Sequence, residues 1–280
     1  MQEVLLEVTH NELNEICDAL ESRLGIRFHH YARASLKRRI ERFINLKNRK
    51  PDSLIKEIKK SSDYAQQVVN AITVNVTEMF RNPEFFAAMQ KEVFPHFQKA
   101  ESISCWHAGC SSGEEVYSLA ILLQEHGLLK KSKLTGWDLN PEMIAKAQRG
   151  SISERQLNAF LDAYFLANGQ SHLQDYFTTR SGVSFLHPEI IQSCCFEAGN
   201  ILNMKNPEDF DMILCRNTLI YFDLALQDEV VKVFYENLKP GGFLCLGEKE
   251  SIRFTSFANR FEELDPVNKI FQKRIDDDVE

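Results

Sequence analysis

From Ser102 onward, short apolar runs alternate with stretches of helical period, and this alternation constrains the fold more than any other feature of the chain. ISCWHAG (103–109) precedes a helical pattern from Glu114 to about His126. KLTGWDL (133–139) precedes another, from about Pro141 to Arg149. FDMILCRN (210–217) leads into a helix from about Leu226 to Leu238, and that helix into GFLCLGE (242–248). Strand, helix, strand in this rhythm predicts an α/β domain with a mostly parallel, doubly wound sheet and right-handed crossovers. ESIRF (250–254) and NKIFQKR (268–274) are expected to add an antiparallel hairpin at one edge.

The preceding residues, to about 98, read as helical. In HNELNEICDALESRLG the apolar positions Leu13, Ile16, Cys17, Leu20 and Leu24 form one stripe, and Gly25 is a stop signal. A second helix is expected from about Ala32 to Lys47, with Leu36, Ile40, Phe43 and Ile44 inward. Pro51-Asp52-Ser53 reads as a connector, with more helix through Val69. The expected organisation is a helical domain over 1–84, a linker over 85–101, and the α/β domain over 102–280. The acidic, amphipathic N-terminus has neither the basic start nor the apolar core of a secretory signal. No run approaches the roughly 18 apolar residues of a membrane span. The seven cysteines include no CxxC pair, so neither a zinc site nor any other metal site is expected, and the expected compartment is cytoplasmic.

A net charge of −7 argues against nucleic acid as a partner. The charge is unevenly spread: Arg27, Arg33, Lys37, Arg38, Arg39, Arg42, Lys47, Arg49 and Lys50 crowd one segment that contains a single acid, Glu41. The C-terminal DDDVE reads as a solvated tail.

The first strand of the α/β domain ends in His107-Ala108-Gly109-Cys110-Ser111-Ser112-Gly113 and runs directly into the helix that begins at Glu114. Small residues there let backbone N–H groups approach a ligand at a helix N-terminus. The G-x-x-x-G spacing differs from the dinucleotide fingerprint, and no P-loop lysine is present. Asp138 closes the second strand, where a carboxylate can accept the two ribose hydroxyls of an adenosine cofactor. The plainer readings are a tight strand–helix corner and a helix cap. Without phosphate-binding machinery, S-adenosylmethionine is a better fit than NAD or ATP.

Several blocks carry a closer resemblance. Ile72 to Pro83 (ITVNVTEMFRNP) is similar to the N-T-FFR segment of the chemoreceptor glutamate methyltransferase (CheR) family. Ser111-Ser112-Gly113-Glu114-Glu115 with Tyr117-Ser118 resembles that family's S-x-GEE-xYS turn. Phe210-Asp211, Cys215-Arg216-Asn217 and Ile220-Tyr221-Phe222-Asp223 resemble its FD…CRN…IYFD block, and Leu238 to Gly242 resembles the LKPGG turn of many class I methyltransferases. The blocks keep order and spacing over roughly 10–272.

The resemblance implies a class I, Rossmann-like, S-adenosylmethionine-dependent methyltransferase with a small all-α N-terminal domain and a small β subdomain near 176–198. It implies cofactor contacts from Asn75, Thr77 and Arg81, from Gly109, Gly113 and Glu115, from Asp138, from Asn200 and Ile201 beside the adenine, and from Arg216 and Asn217. Arg81 and Tyr221 would be the catalytic pair. S-adenosylhomocysteine would be the product. The activity implied is methyl esterification of glutamate side chains on the cytoplasmic helices of a chemoreceptor or receptor-like acidic protein, in chemotaxis-type adaptation. Lys37, Arg38 and Arg42 would dock that substrate. Alternatives are methyl transfer to another protein or a small carboxylate, and a non-catalytic cofactor-binding signalling module. Taken singly, Arg81 could be a surface ion-pair residue, Tyr221 a core aromatic, Asn200 a turn cap, and Arg216-Asn217 a strand terminus.

The sequence departs from the family pattern most over 150–197. Gly150-Ser151-Ile152 stands in place of G-x-Y, an insertion-like stretch covers Ala159–Ser171, and the segment around Gly182 is short. Tethering to a receptor's pentapeptide tail is therefore not expected, nor is membrane insertion. Glu248-Lys249-Glu250 stands where the family often carries H-S-E, and only Glu250 is retained.

Overall fold

In the computed structural model, which describes residues 5–205 and 209–275, the chain divides into two units. One comprises Met1–Val74 with Ile220–Leu226, the other Asn75–Leu219 with Gln227–Glu280. The DDDVE run lies outside the described residues.

Among the described residues, four α-helices lie wholly within the first unit. Helix α1 (His10–Leu24) starts with a capping box between Thr9 and Glu12 and ends on Gly25 at φ +70°, a left-handed cap that glycine adopts at little cost. Its buried stripe is Leu13, Ile16, Cys17, Ala19 and Leu20. Helix α2 (Arg33–Leu46) buries Leu36, Ile40, Phe43 and Ile44, the positions its periodicity selects. The expected connector at Pro51 is instead the first turn of α3 (Pro51–Lys60), since proline at a helix start loses no bond that the helix needs. Helix α4 (Ser62–Ile72) is capped by Ser61, which accepts from the Tyr64 N–H. The segment 220–226, remote in sequence, completes this unit. Tyr31 and Phe222 form an antiparallel bridge with ring centroids 4.9 Å apart. The Ala32 N–H donates to Tyr221 O and the Asp223 N–H to His30 O, each at 2.8 Å. His30 Nδ1 lies 2.9 Å from Asp223 Oδ2.

The second unit opens with α5 (Pro83–Glu92) and α6 (Phe94–Phe97). These occupy the stretch expected as a linker: Phe85, Phe86, Met89, Val93, Phe94 and Phe97 are all buried in the main core. The division falls between Val74 and Asn75 rather than at 84. Strand β1 (Ile103–Ala108) is followed by α7 (Glu114–Glu125), β2 (Ser132–Asp138) and α8 (Pro141–Arg149). Next come β3 (Ser151–Ser153), α9 (Glu154–Ala159), α10 (Leu161–Leu166), β4 (Phe177–Arg180), β5 (Val183–Leu186), α11 (Pro188–Ile191) and β6 (Cys194–Ala198). The chain ends with β7 (Phe210–Cys215), α12 (Leu224–Asn237), β8 (Leu238–Leu246), β9 (Phe261–Asp265) and β10 (Ile270–Lys273).

Seven strands form one sheet in the order β6-β2-β1-β7-β8-β10-β9, the first five parallel and the last two antiparallel to their neighbours. The edge hairpin is β9–β10, so its first strand is 261–265 and not ESIRF. The LKPGG residues open β8 rather than standing apart as a turn; Gly241 has φ +75° and the register against β7 shifts there. The small β subdomain is a three-stranded sheet, β3-β5-β4, spanning 151–186. Residues 194–198, expected within it, pair in parallel with β2 and form an edge of the main sheet. The insertion-like stretch folds into α10 and is anchored by Glu125, which accepts from the Tyr164 and Tyr176 hydroxyls and from the Gln170 N–H. No helix among the described residues is long and apolar enough to cross a membrane.

Candidate functional site

The chain reverses its strand order between β1 and β7, so the carboxyl ends of β6, β2, β1, β7 and β8 frame the crevice where open α/β sheets take ligands. The turn after β1 needs its glycines for two reasons. Gly109 sits at φ +85°, and a Cβ there would lie 2.5 Å from the Thr218 hydroxyl. Gly113 sits at φ +93°, with Ala147 Cβ 3.0 Å and the Tyr117 ring 3.1 Å from a Cβ. Between them Ser111 is left-handed at φ +50°, and its buried hydroxyl has no partner. Helix α7 begins directly after, with two acids in its first turn.

Asp138 ends β2. Its Oδ2 accepts the Ser111 N–H at 2.8 Å and its Oδ1 the Asn140 N–H at 2.9 Å. Burial pushes this carboxyl above its ordinary value, against the Asn140, Ser111 and Leu139 N–H groups, which favour the ionised form. The cap of α8 is Asn140, accepting from Glu142 N–H, so Asp138 is not spent on that role. Each carboxylate oxygen keeps acceptor capacity for a hydroxyl. The Gly199 N–H donates to Asp138 O at 2.9 Å, tying the end of β6 to the end of β2. Asn200 and Ile201 follow at once, half-buried, with Asn200 Oδ1 capping the short turn through the Leu202 N–H.

Glu115, one residue into α7, is held from both sides. Its Oε1 is 3.1 Å from His107 Nδ1 on β1, and its Oε2 accepts from Arg216 Nη1 at 3.0 Å. Burial alone would raise its pKa, but the His107 hydrogen bond and the Arg216 charge outweigh burial, and the carboxyl lies below the usual range. The Arg216 side chain is 1% exposed. Its Nη2 donates to Arg81 O at 3.0 Å and to Asn82 Oδ1 at 3.1 Å, and the guanidinium lies 4.0 Å over the Phe85 ring. Asn217 follows at φ +61°, its N–H bonded to Glu250 Oε2 at 2.8 Å; the same oxygen takes the Gly247 N–H at 2.6 Å.

Arg81 sits in the turn before α5, half-buried, and its guanidinium has no hydrogen bond or ion pair among the described residues. Its neighbours Phe80 and Asn82 both adopt φ +54°, a conformation asparagine tolerates but one that is rare for a bulky side chain such as Phe80. Asn75 and Thr77 lie in the irregular stretch leading to this turn, both half-buried. Tyr221 belongs to the helical unit, where its carbonyl accepts from Ala32.

The structure thus brings together Gly109, Gly113, Glu115, Asp138, Arg216, Asn217 and the backbone of Arg81. On α2, Arg38 and Arg42 are exposed, while Lys37 is half-buried and 3.6 Å from Glu41. Arg33 and Arg39 are occupied by Asn14 and the Thr73 carbonyl. Sequence reasoning did not single out His107, Ser118 or Glu250 for these roles. His107 carried a signal as a polar residue inside an apolar strand, and Ser118 and Glu250 appeared only as members of the family-like blocks. No group of three or more His, Cys, Asp or Glu among the described residues could hold a metal ion.

Comparison with known proteins matches the same two regions. The family description "CheR methyltransferase, SAM binding domain" fits residues 75–268, and "CheR methyltransferase, all-alpha domain" fits 11–73. A Pseudomonas putida protein named "Putative methyltransferase Cher3" is 34% identical over 95% of this chain and 97% of its own length. The chemotaxis protein methyltransferase of Listeria monocytogenes is 30% identical over 82% of this chain and 86% of its own. Chemotaxis protein methyltransferase 2 of Vibrio cholerae is 35% identical over 69% of this chain and 67% of its own.

Proposed function

The chain belongs to the CheR methyltransferase family and is an S-adenosylmethionine-dependent methyltransferase, and from that premise we propose that it esterifies glutamate side chains on the cytoplasmic helices of a chemoreceptor or receptor-like protein. Cytoplasmic action follows from such a substrate.

The residues of the β1 turn suit the cofactor. Gly109 takes a positive φ and packs against Thr218 too closely for any side chain, the Ser111 hydroxyl is buried and unpartnered, and Asp138 retains acceptors for two hydroxyls. In this reading Asp138 holds the ribose, Glu115 the methionine amino end, and Asn200 with Ile201 the adenine. Asn75, Thr77, Gly113 and Asn217 complete the contacts. When bound, the cofactor supplies an electrophilic methyl group on a sulfonium.

The observation that carries the acceptor assignment is Arg81: a half-buried guanidinium without a partner among the described residues, beside a carbonyl fixed to the Glu115–Arg216 pair. A glutamate carboxylate, with a pKa of about 4.3, is already ionised at neutral pH and needs no general base. The task left to the chain is to hold it in line and exclude water. Arg81 takes the carboxylate. An arginine that binds ground and transition states equally would only lower KM, so the contribution of Arg81 is orientation.

The test is incubation with labelled S-adenosylmethionine and a panel of receptor cytoplasmic domains. Label released as methanol by mild alkali supports glutamate esterification. Alkali-stable label, or label only on small carboxylates, overturns the substrate assignment.

A further inference from the structure

We infer that Ser118 and Arg216 are positioning residues that pin the Phe80–Asn82 turn in its left-handed shape and so aim the Arg81 guanidinium; this rests on the acceptor-orienting role of Arg81 proposed above.

The turn is improbable by itself. Left-handed residues stand on both sides of Arg81; asparagine tolerates that region at position 82, but a phenylalanine at position 80 rarely adopts it. Such backbone persists only when its surroundings over-determine it. Three bonds do so here. The Phe80 N–H donates to Ser118 Oγ at 2.8 Å, and the Ser118 hydroxyl donates onward to Glu114 O at 2.7 Å. Ser118 is fully buried, so no water can replace that oxygen. At the other end, one Arg216 nitrogen donates to both Arg81 O and Asn82 Oδ1. The Phe80 ring is fully buried, 5.2 Å from Tyr164 and 5.6 Å from Phe86 between centroids. The backbone of Arg81 is therefore fixed on both sides while its guanidinium stays uncommitted.

Arg216 also changes role. Nη1 donates to Glu115 and Nη2 to both Arg81 O and Asn82 Oδ1, the side chain lies beneath Phe85, and only the buried Nε is left without a partner among these nitrogens. It acts through Arg81 rather than by lining the cofactor pocket. A lysine would keep the charge toward Glu115 but could not reproduce the planar fork that bridges to the turn.

Ser118→Ala and Arg216→Lys in the full chain test this, each with S-adenosylhomocysteine affinity by calorimetry, a thermal melt, and single-turnover methylation of the receptor fragment that accepts label above. The expected result is affinity within about threefold of the parent and a methylation rate down about tenfold for Ser118→Ala and about a hundredfold for Arg216→Lys, the scale of a displacement near 1 Å. In an Arg81→Ala background the Ser118→Ala loss should disappear, which a merely structural role would not produce. If Ser118→Ala fails to fold, Arg216→Lys decides alone. Near-parental rates in both variants, with Arg81→Ala impaired, overturn the inference and leave the role of Arg81 standing. Weakened S-adenosylhomocysteine binding by Arg216→Lys with an unchanged rate at saturating cofactor makes Arg216 a cofactor contact and also overturns it. Near-parental methylation by Arg81→Ala removes the premise.

Discussion

In the proposed function three charged side chains have distinct roles, and each is expected to fail differently. Arg81→Ala should lower turnover about a hundredfold or more while S-adenosylhomocysteine affinity falls only a fewfold, because orientation is lost and not the cofactor's own contacts. Steady-state kinetics beside calorimetry separate the two. Asp138→Asn should do the reverse. It removes charge-assisted acceptors in a buried place, so cofactor affinity should drop about tenfold to a hundredfold by calorimetry. Glu115 tests stability. Its folded pKa is depressed, so its contribution is fully present above the ordinary carboxylate value and is lost as pH falls through the lower folded value. Glu115→Gln breaks a largely buried ion pair and should cost about 3 kcal/mol at pH 7. Denaturation at a series of pH values should show the gap between variant and parent closing in acid; a gap that widened in acid would contradict the pairing.

Among the elements, α2 bears the docking expectation. Only part of its basic run is available: Arg38 and Arg42 are exposed and Lys37 is partly so, whereas Arg33 and Arg39 are engaged inside the helical unit. Reversing Lys37, Arg38 and Arg42 to Glu should slow methylation of an acidic helical substrate and flatten its salt dependence, since electrostatic steering sets encounter rates. An unchanged rate for the triple variant would remove α2 from substrate recognition. The elements also show where the sequence was legible. The stripes of α1 and α2 follow from periodicity because each presents one plain face to a core, whereas β1, β7 and β8 stand out as near-continuous apolar runs buried on both faces of a parallel sheet, and β2 was legible from its place between two helical patterns. Strand β6 was not legible, since Cys194-Cys195-Phe196 at a sheet edge shows no alternation and only its pairing with β2 defines it. The supposed linker was misjudged for the opposite reason: Phe85, Phe86 and Met89 are core residues whose partners lie far along the chain. Gly109, Gly113 and Asp138 were visible because turn geometry and strand-end charge demand those residue types. Ser118 and Glu250 were not, because their partners Phe80 and Asn217 stand 38 and 33 residues away and no local rule links them.

At the scale of the whole molecule, the helical unit is discontinuous, drawing Ile220–Leu226 from the middle of the catalytic half of the sequence. The bond between His30 and Asp223 is part of that closure, and the Asp223 carboxyl lies below its ordinary value: partial burial opposes this, but the Leu226 N–H and His30 favour the charge. Its support is therefore held above the ordinary carboxylate range and lost in acid below it. Asp223→Asn should speed hydrogen exchange at the Ala32 and Asp223 amides while leaving those of β1 and β2 protected. Equal acceleration throughout would mean the closure is not local.

This discontinuity limits how the protein can be recombined. A chimera that exchanges only the first 74 residues for those of a relative would set a foreign residue in the place of Tyr31 against the native Phe222 and leave the incoming bundle without its own closing strip. Both pieces have to travel together, so exchanging the helical unit between relatives is a two-segment graft, and Tyr221 travels with the second segment whether or not the experimenter intends it.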